Sequence, residues 1–355
     1  MGLRSSIANG LDRTVGPATR RRLLHREAAV RRSVINFLDV EAKAKKRRAE
    51  QKAAEPKPTP EQLRAQLIER LGQRSLEGTL NQEGLKWARN DPYAPHPPAT
   101  LSRHEVLEQL HRLLAPRTYL EIGVRWGDSL GLSRTRSIGV DPEFKIRNEL
   151  HCDLRTFKTT SDDFFERPDA LEHFEGLPID LAFIDGMHLS DFALRDFVNV
   201  ERHCSPASVV VFDDMLPRNH LEGYRLRRTV SWAGDVYKVQ QVLRRLRPDL
   251  VLLPLNTKPT GTLIVANLDP TSTVLADALP EVTRQLTSDD PQTVPDDVLN
   301  RSIAVDPEQL LASDVWPRLA ELRDAGASEG YRDLWVELAQ VPPLDPVEAA
   351  PASQH

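Results

Sequence analysis

Six short stretches between residues 118 and 268 are almost wholly apolar: TYLEIGV, SIGVD, IDLAFID, ASVVVFD, LVLLPLN and TLIVANL. Helical periodicity, as in LSDFALRDFVNVERH, separates some of them. Uninterrupted apolar strands alternating with helices predict a parallel sheet buried on both faces. The last two stretches are joined only by TKPTG, so they form a hairpin and bring in an antiparallel strand. The predicted fold class is α/β: a Rossmann-like, doubly wound, mostly parallel sheet with an antiparallel final strand hairpin, plus a helical N-terminal extension. Upstream, a helix over about 103–114 carries a capping signature in Ser102 and Glu105. Residues 24–53 read as another helix, and a further one opens with Thr59 as cap and Pro60 in its first turn.

AAEPKPTPEQ and NDPYAPHPPATLS are proline-rich breaks. They divide the chain into a basic helical extension and linker (1–58), an N-terminal helical cap (59–115), a core (116–270) and an acidic, partly helical C-terminal extension (271–355). The net charge of −5 over 355 residues conceals the asymmetry between a basic head and an acidic tail. KAKKRRAEQK in the head lacks interleaved aromatics, which argues against nucleic-acid binding and for a solvated helix. No apolar run is long enough to span a bilayer, and Arg20, Arg21 and Arg22 precede no signal-like apolar segment, so the expected location is cytoplasmic. Cys152 and Cys204 are too few and too dispersed for a disulfide framework or a zinc cluster, and read as reduced thiols.

In such a sheet, ligands bind at the carboxyl ends of the strands. The first strand runs into EIGVRWGDSL, where Gly123 and Gly127 permit close backbone approach and a helix is expected from about Asp128, its N-terminus favouring anionic groups. The second ends in Asp141, placed to accept from ribose hydroxyls or to cap the turn at Pro142. Two later strands end in acids, FIDGMH with Asp185 and His188, and VVVFDDM with Asp213 and Asp214. Each acid alone reads as a helix or turn cap, but three acids and a histidine at corresponding strand ends point to a shared site.

YLEIGVRWGDSL, SIGVDPEF, TSDDFF, FIDGMH, VVVFDDM and the closing hairpin, in that order over roughly 101–270, resemble class I S-adenosylmethionine-dependent methyltransferases. Arg125 stands where the commonest form of the glycine motif has a middle glycine. The resemblance implies S-adenosylmethionine as cofactor, with Glu121 supporting the loop or the methionine end, Gly123 and Gly127 at the glycine turn and Asp141 on the ribose. More narrowly, the chain resembles the metal-dependent O-methyltransferase branch that includes catechol O-methyltransferase and the macrocin and mycinamicin-type sugar enzymes. That likeness implies Asp185, Asp213 and Asp214 as metal ligands, His188 as base, a small hydroxylated acceptor such as a sugar, and homo-oligomerisation through the N-terminal helices.

The chemistry wants these residue types in any case. A hydroxyl is a poor nucleophile at neutral pH; a hard cation such as Mg²⁺, held by carboxylates, lowers its pKa, and a neutral histidine takes the proton. A nicotinamide oxidoreductase would share the glycine turn and ribose acid but leave Asp213 and Asp214 unexplained. A non-catalytic scaffold would work through the charged ends. Arg225, Arg227 and Arg228 read as a solvated charged surface ahead of a contact for an acidic acceptor, His203 as a surface or helix-end histidine, and Trp232 as either core or a wall of the acceptor site.

Overall fold

The computed structural model describes residues 93–227 and 231–345. The expected helices over 24–53 and from Thr59, the boundary at 58 and Arg228 lie outside the described residues.

Helix α1 (Arg103–Leu114) starts where its capping box predicts: Ser102 Oγ accepts from the Glu105 N–H at 3.3 Å, and Glu105 Oε2 accepts from the Ser102 N–H at 2.7 Å. Its buried stripe is Val106, Leu107, Leu110 and Leu114, one face of a 3.6-residue repeat. Strands β1 (Thr118–Ile122), β2 (Arg136–Val140), β3 (Asp153–Phe157), β4 (Leu181–Ile184), β5 (Val209–Phe212), β6 (Val251–Leu255) and β7 (Thr262–Ala266) form one sheet in the order β3-β2-β1-β4-β5-β7-β6. All neighbours from β3 to β5 are parallel, whereas β7 is antiparallel to both β5 and β6. The final strand therefore enters between β5 and β6, not at the sheet edge. This is the Rossmann-like arrangement expected from the apolar pattern, and chain order reverses direction between β1 and β4, where a ligand crevice opens.

Period-2 alternation sorts the strand residues into two cores. Leu120, Ile122, Ile184, Val210 and Phe212 pack with Leu194 and Phe197 of α3 (Ser190–Glu201) and with Val239 and Leu243 of α4 (Lys238–Leu246), α2 being the short helix Ser161–Phe165 that follows β3. Tyr119, Leu181, Phe183, Val209 and Val211 pack on the opposite side with Val106, Leu107 and Leu110 of α1 and with Trp316 and Trp335. Beyond β7 the chain continues into helices α5 (Val274–Leu286), α6 (Asp296–Leu299), α7 (Pro307–Leu311), α8 (Val315–Asp324) and α9 (Tyr331–Leu338). None of the helices is long and apolar enough to cross a membrane among the described residues.

Two local expectations need correction. No helix begins near Asp128; β1 passes to β2 through a three-residue 3-10 turn, Leu130–Leu132, because the chain must re-enter the sheet at Arg136. The glycine turn thus has no α-helix N-terminus behind it. Strand β3 escaped notice because it is a half-exposed edge: in Asp-Leu-Arg-Thr-Phe only Phe157 is buried.

Candidate active site

The carboxyl ends of β1, β2, β4 and β5 converge. The Gly123 N–H donates to Val140 O at 2.9 Å, and the Asp185 N–H donates to Ile122 O at 2.8 Å, so the hydrogen-bond ladder runs straight into the loops. Gly123 has φ +96°, and a Cβ there would lie 2.0 Å from the Asp185 carbonyl oxygen. That glycine is first a packing requirement between two strand ends. Arg125 keeps a glycine-like conformation with φ 45°, while Gly127 (φ +78°) turns the loop beside Ile146.

The Asp141 carboxylate ties this loop to β2: Oδ2 accepts from the Arg125 N–H at 2.8 Å and Oδ1 from the Glu143 N–H at 2.6 Å. Asp141 is half-buried and each oxygen has a further lone pair, so the turn-capping role and a ribose contact are compatible. Glu121 is different. It is fully buried, and its carboxyl accepts from Tyr119 Oη at 2.7 Å and Ser129 Oγ at 2.8 Å. Burial, opposed by those two bonds, pushes its pKa up to about 8. With no accessible surface it supports the loop from below, one of the two roles the resemblance implies for it.

Asp185 and His188 leave β4, and Asp213 and Asp214 leave β5. His188 stands between two acids, with Nε2 3.4 Å from Asp185 Oδ1 and Nδ1 2.6 Å from Asp214 Oδ2. Its ring stacks on Trp232 with centroids 5.4 Å apart and planes at 11°. Gly234 lets the Trp232 segment approach, since a Cβ there would lie 1.8 Å from His188 O. The other Asp214 oxygen accepts a short hydrogen bond from Thr260 Oγ1, in the β6–β7 turn. His188 (φ 56°) and Asp214 (φ 60°) both hold left-handed backbone conformations, strain that collects at functional sites.

One ligand atom each from Asp185, His188 and Asp214 lies within 4.8 Å of the others, the span of a cation site. Asp213 does not join them: its Oδ2 lies 2.9 Å from Arg103 Nη1, at ion-pair distance without hydrogen-bond alignment. Burial, then the negative charges of Asp214 and Asp185, raise Asp213 well above the carboxylate range, and burial foremost lifts Asp185 to about 6. Asp214 is held low despite its burial, by His188, by the Thr260 bond and by Arg103. Crowded acids that offer hard oxygen donors within this span fit a divalent cation.

The arginines of the following loop are not one solvated surface. Arg225 is buried, with Nη2 2.8 Å from Asp191 Oδ1 and Nη1 2.8 Å from Asp235 Oδ2, because a cation taken out of water needs acids around it. Arg227 stays half-buried, and His203 is exposed at the end of α3. Cys204 is buried and Cys152 partly so, both as free thiols. Arg103 and Thr260 were invisible to motif reading. Arg103 is the opening residue of a helix far upstream, and Thr260 sits in what reads along the chain as a plain hairpin connection.

Residues 120–215, which include these strand ends, match the family model described as a methyltransferase domain. The chain carries a methyltransferase domain. By that domain the protein is an enzyme of the methyltransferase class. No curated protein matches it. Among solved structures, the methyltransferase is similar to an O-methyltransferase from Bacillus cereus in complex with SAH, at 16% identity over 56% of this chain and 94% of the other, with a TM-score of 0.34. It is also similar to the O-methyltransferase TomG from Streptomyces achromogenes, at 18% identity over 46% and 78% of the two chains and a TM-score of 0.34. A third, the MycE methyltransferase of mycinamycin biosynthesis in complex with Mg, SAH and mycinamycin VI, shares 20% identity over 44% and 46%, with a TM-score of 0.31. At such distances none carries its activity over to this methyltransferase.

Proposed function

We propose that this methyltransferase moves the methyl group of S-adenosylmethionine to an oxygen of a small hydroxylated acceptor, a sugar in the first instance, with His188 as general base. The observation that carries the reading is the meeting of Asp185, His188 and Asp214 at the ends of adjacent strands, beside the glycine turn of a methyltransferase domain. Gly123 and Gly127 shape the cofactor loop, Asp141 receives the ribose hydroxyls, and Glu121 holds the loop through Tyr119 and Ser129.

In the step itself the acceptor oxygen attacks the methyl carbon, the carbon–sulfur bond breaks with its electrons going to sulfur, and S-adenosylhomocysteine leaves. The acceptor proton passes to His188 Nε2, while Nδ1 lies 2.6 Å from Asp214 Oδ2, at ion-pair distance, and Thr260 anchors the far oxygen of that acid. Trp232 keeps the ring in plane. Asp185 and Asp214 would hold a divalent cation, Mg²⁺ by its hard oxygen donors, which when bound lowers the pKa of an acceptor hydroxyl and fixes its position. The sequence-derived role of Asp213 as a third carboxylate ligand does not fit its pairing with Arg103.

Titration calorimetry with S-adenosylhomocysteine and with NAD tests the cofactor; binding of NAD in preference would sink the reading. A screen of hydroxylated sugars and phenols for S-adenosylhomocysteine release, with and without chelator, tests acceptor and metal. Turnover unchanged by exhaustive chelation would remove the cation from the reading and leave the histidine.

A further inference from the structure

Asp213 is the acid that the crevice does not use, and its partner comes from another part of the chain. Arg103 opens α1; its N–H donates to Lys258 O at 3.3 Å in the β6–β7 turn, and the guanidinium reaches Asp213 at 2.9 Å. The same turn supplies Thr260 to Asp214. One short connection therefore organises the partners of both adjacent acids. Asp213 is 2% exposed and Arg103 28% exposed, so the acid is withdrawn from solvent while the arginine keeps part of its surface open. Asp213, Asp185, Asp214 and Asp128 all act on the Arg103 charge.

We propose that Arg103 is the built-in counter-ion of Asp213, a positioning residue that withdraws this carboxylate from the cation site and sets the affinity of the two that remain, Asp185 and Asp214. This rests on the reading that a divalent cation binds there. Three free carboxylates would attract a cation strongly; a guanidinium held against one of them places a positive charge close to the other two and offsets that attraction. Arg103 is thereby a determinant of how tightly metal is held.

The test is a charge cycle on the full chain, read by Mn²⁺ titration with electron paramagnetic resonance and independent of turnover. Arg103→Met is expected to raise Mn²⁺ affinity about tenfold or more, and Asp213→Asn to lower it by a similar factor, the order expected for one unit charge in a partly hydrated site. The double variant removes both charges and is expected to return within about threefold of wild type. Arg103→Lys, which keeps the charge, guards against a folding defect and is expected to bind like wild type, with S-adenosylhomocysteine titration reporting an intact core. A double variant as weak as Asp213→Asn makes Asp213 a direct ligand and overturns the proposal while the cation reading stands. Wild-type protein that binds no Mn²⁺ overturns both.

Discussion

Replacing Glu121 by glutamine should make the protein more stable at neutral and alkaline pH, although it alters a fully buried polar residue at the heart of the cofactor loop. The folded carboxyl has a pKa of about 8 against 4.5 for a free glutamate, chiefly because burial disfavours its charged form. Below about pH 4.5 both states are protonated and the shift has no effect. Between about pH 4.5 and 8 the unfolded chain releases a proton that the native protein keeps, so native stability falls as pH rises through this window. At pH 7 the difference spans about 2.5 units, which at about 1.4 kcal/mol per unit amounts to roughly 3 kcal/mol. Glutamine carries no charge, and its amide can still pair with Tyr119 and Ser129, whose hydroxyls either donate or accept. Urea denaturation of wild type and Glu121→Gln at pH 5 and pH 8 should show a variant advantage of up to about 4 kcal/mol at pH 8 that shrinks to about 1 kcal/mol at pH 5. A variant that is less stable than wild type at pH 8, or whose advantage does not depend on pH, would refute the reasoning and point to an ionised Glu121 held by its hydroxyl partners.

His188→Ala should lose roughly 100- to 10,000-fold in turnover, as expected for a general base, while retaining S-adenosylhomocysteine and Mn²⁺ binding; near-wild-type rates on any accepted substrate would remove the histidine from that role. Asp141→Ala should weaken S-adenosylhomocysteine binding by about 1–3 kcal/mol in calorimetry through loss of an ionised acceptor, and unchanged affinity would leave Asp141 only a turn cap. Gly123→Ala places a methyl group against the Asp185 carbonyl and should lower the thermal midpoint and cofactor affinity together, a result that a flexible, ligand-only role for this glycine would not produce.

The sequence by itself determined the sheet and the address of the site. Six apolar runs became strands because both faces of the sheet are covered, and the Ser102–Glu105 pair marked the start of α1 because capping is a local matter of three residues. Asp141, Asp185, His188, Asp213 and Asp214 stood out because each closely follows a strand, and parallel topology sends all such ends to one rim. Edge strand β3 did not stand out, since a half-exposed strand need not be apolar, and neither did the loss of the helix after Gly127, which depends on where the chain must rejoin the sheet. What the acids do to one another was decided only by the tertiary structure. Asp213 and Asp214 are neighbours in sequence, yet one faces Arg103, 110 positions upstream, and the other faces His188 and Thr260. Ion pairing and desolvation depend on distances of a few ångströms between side chains brought together by folding, and no spacing along the chain encodes which charge will arrive beside which.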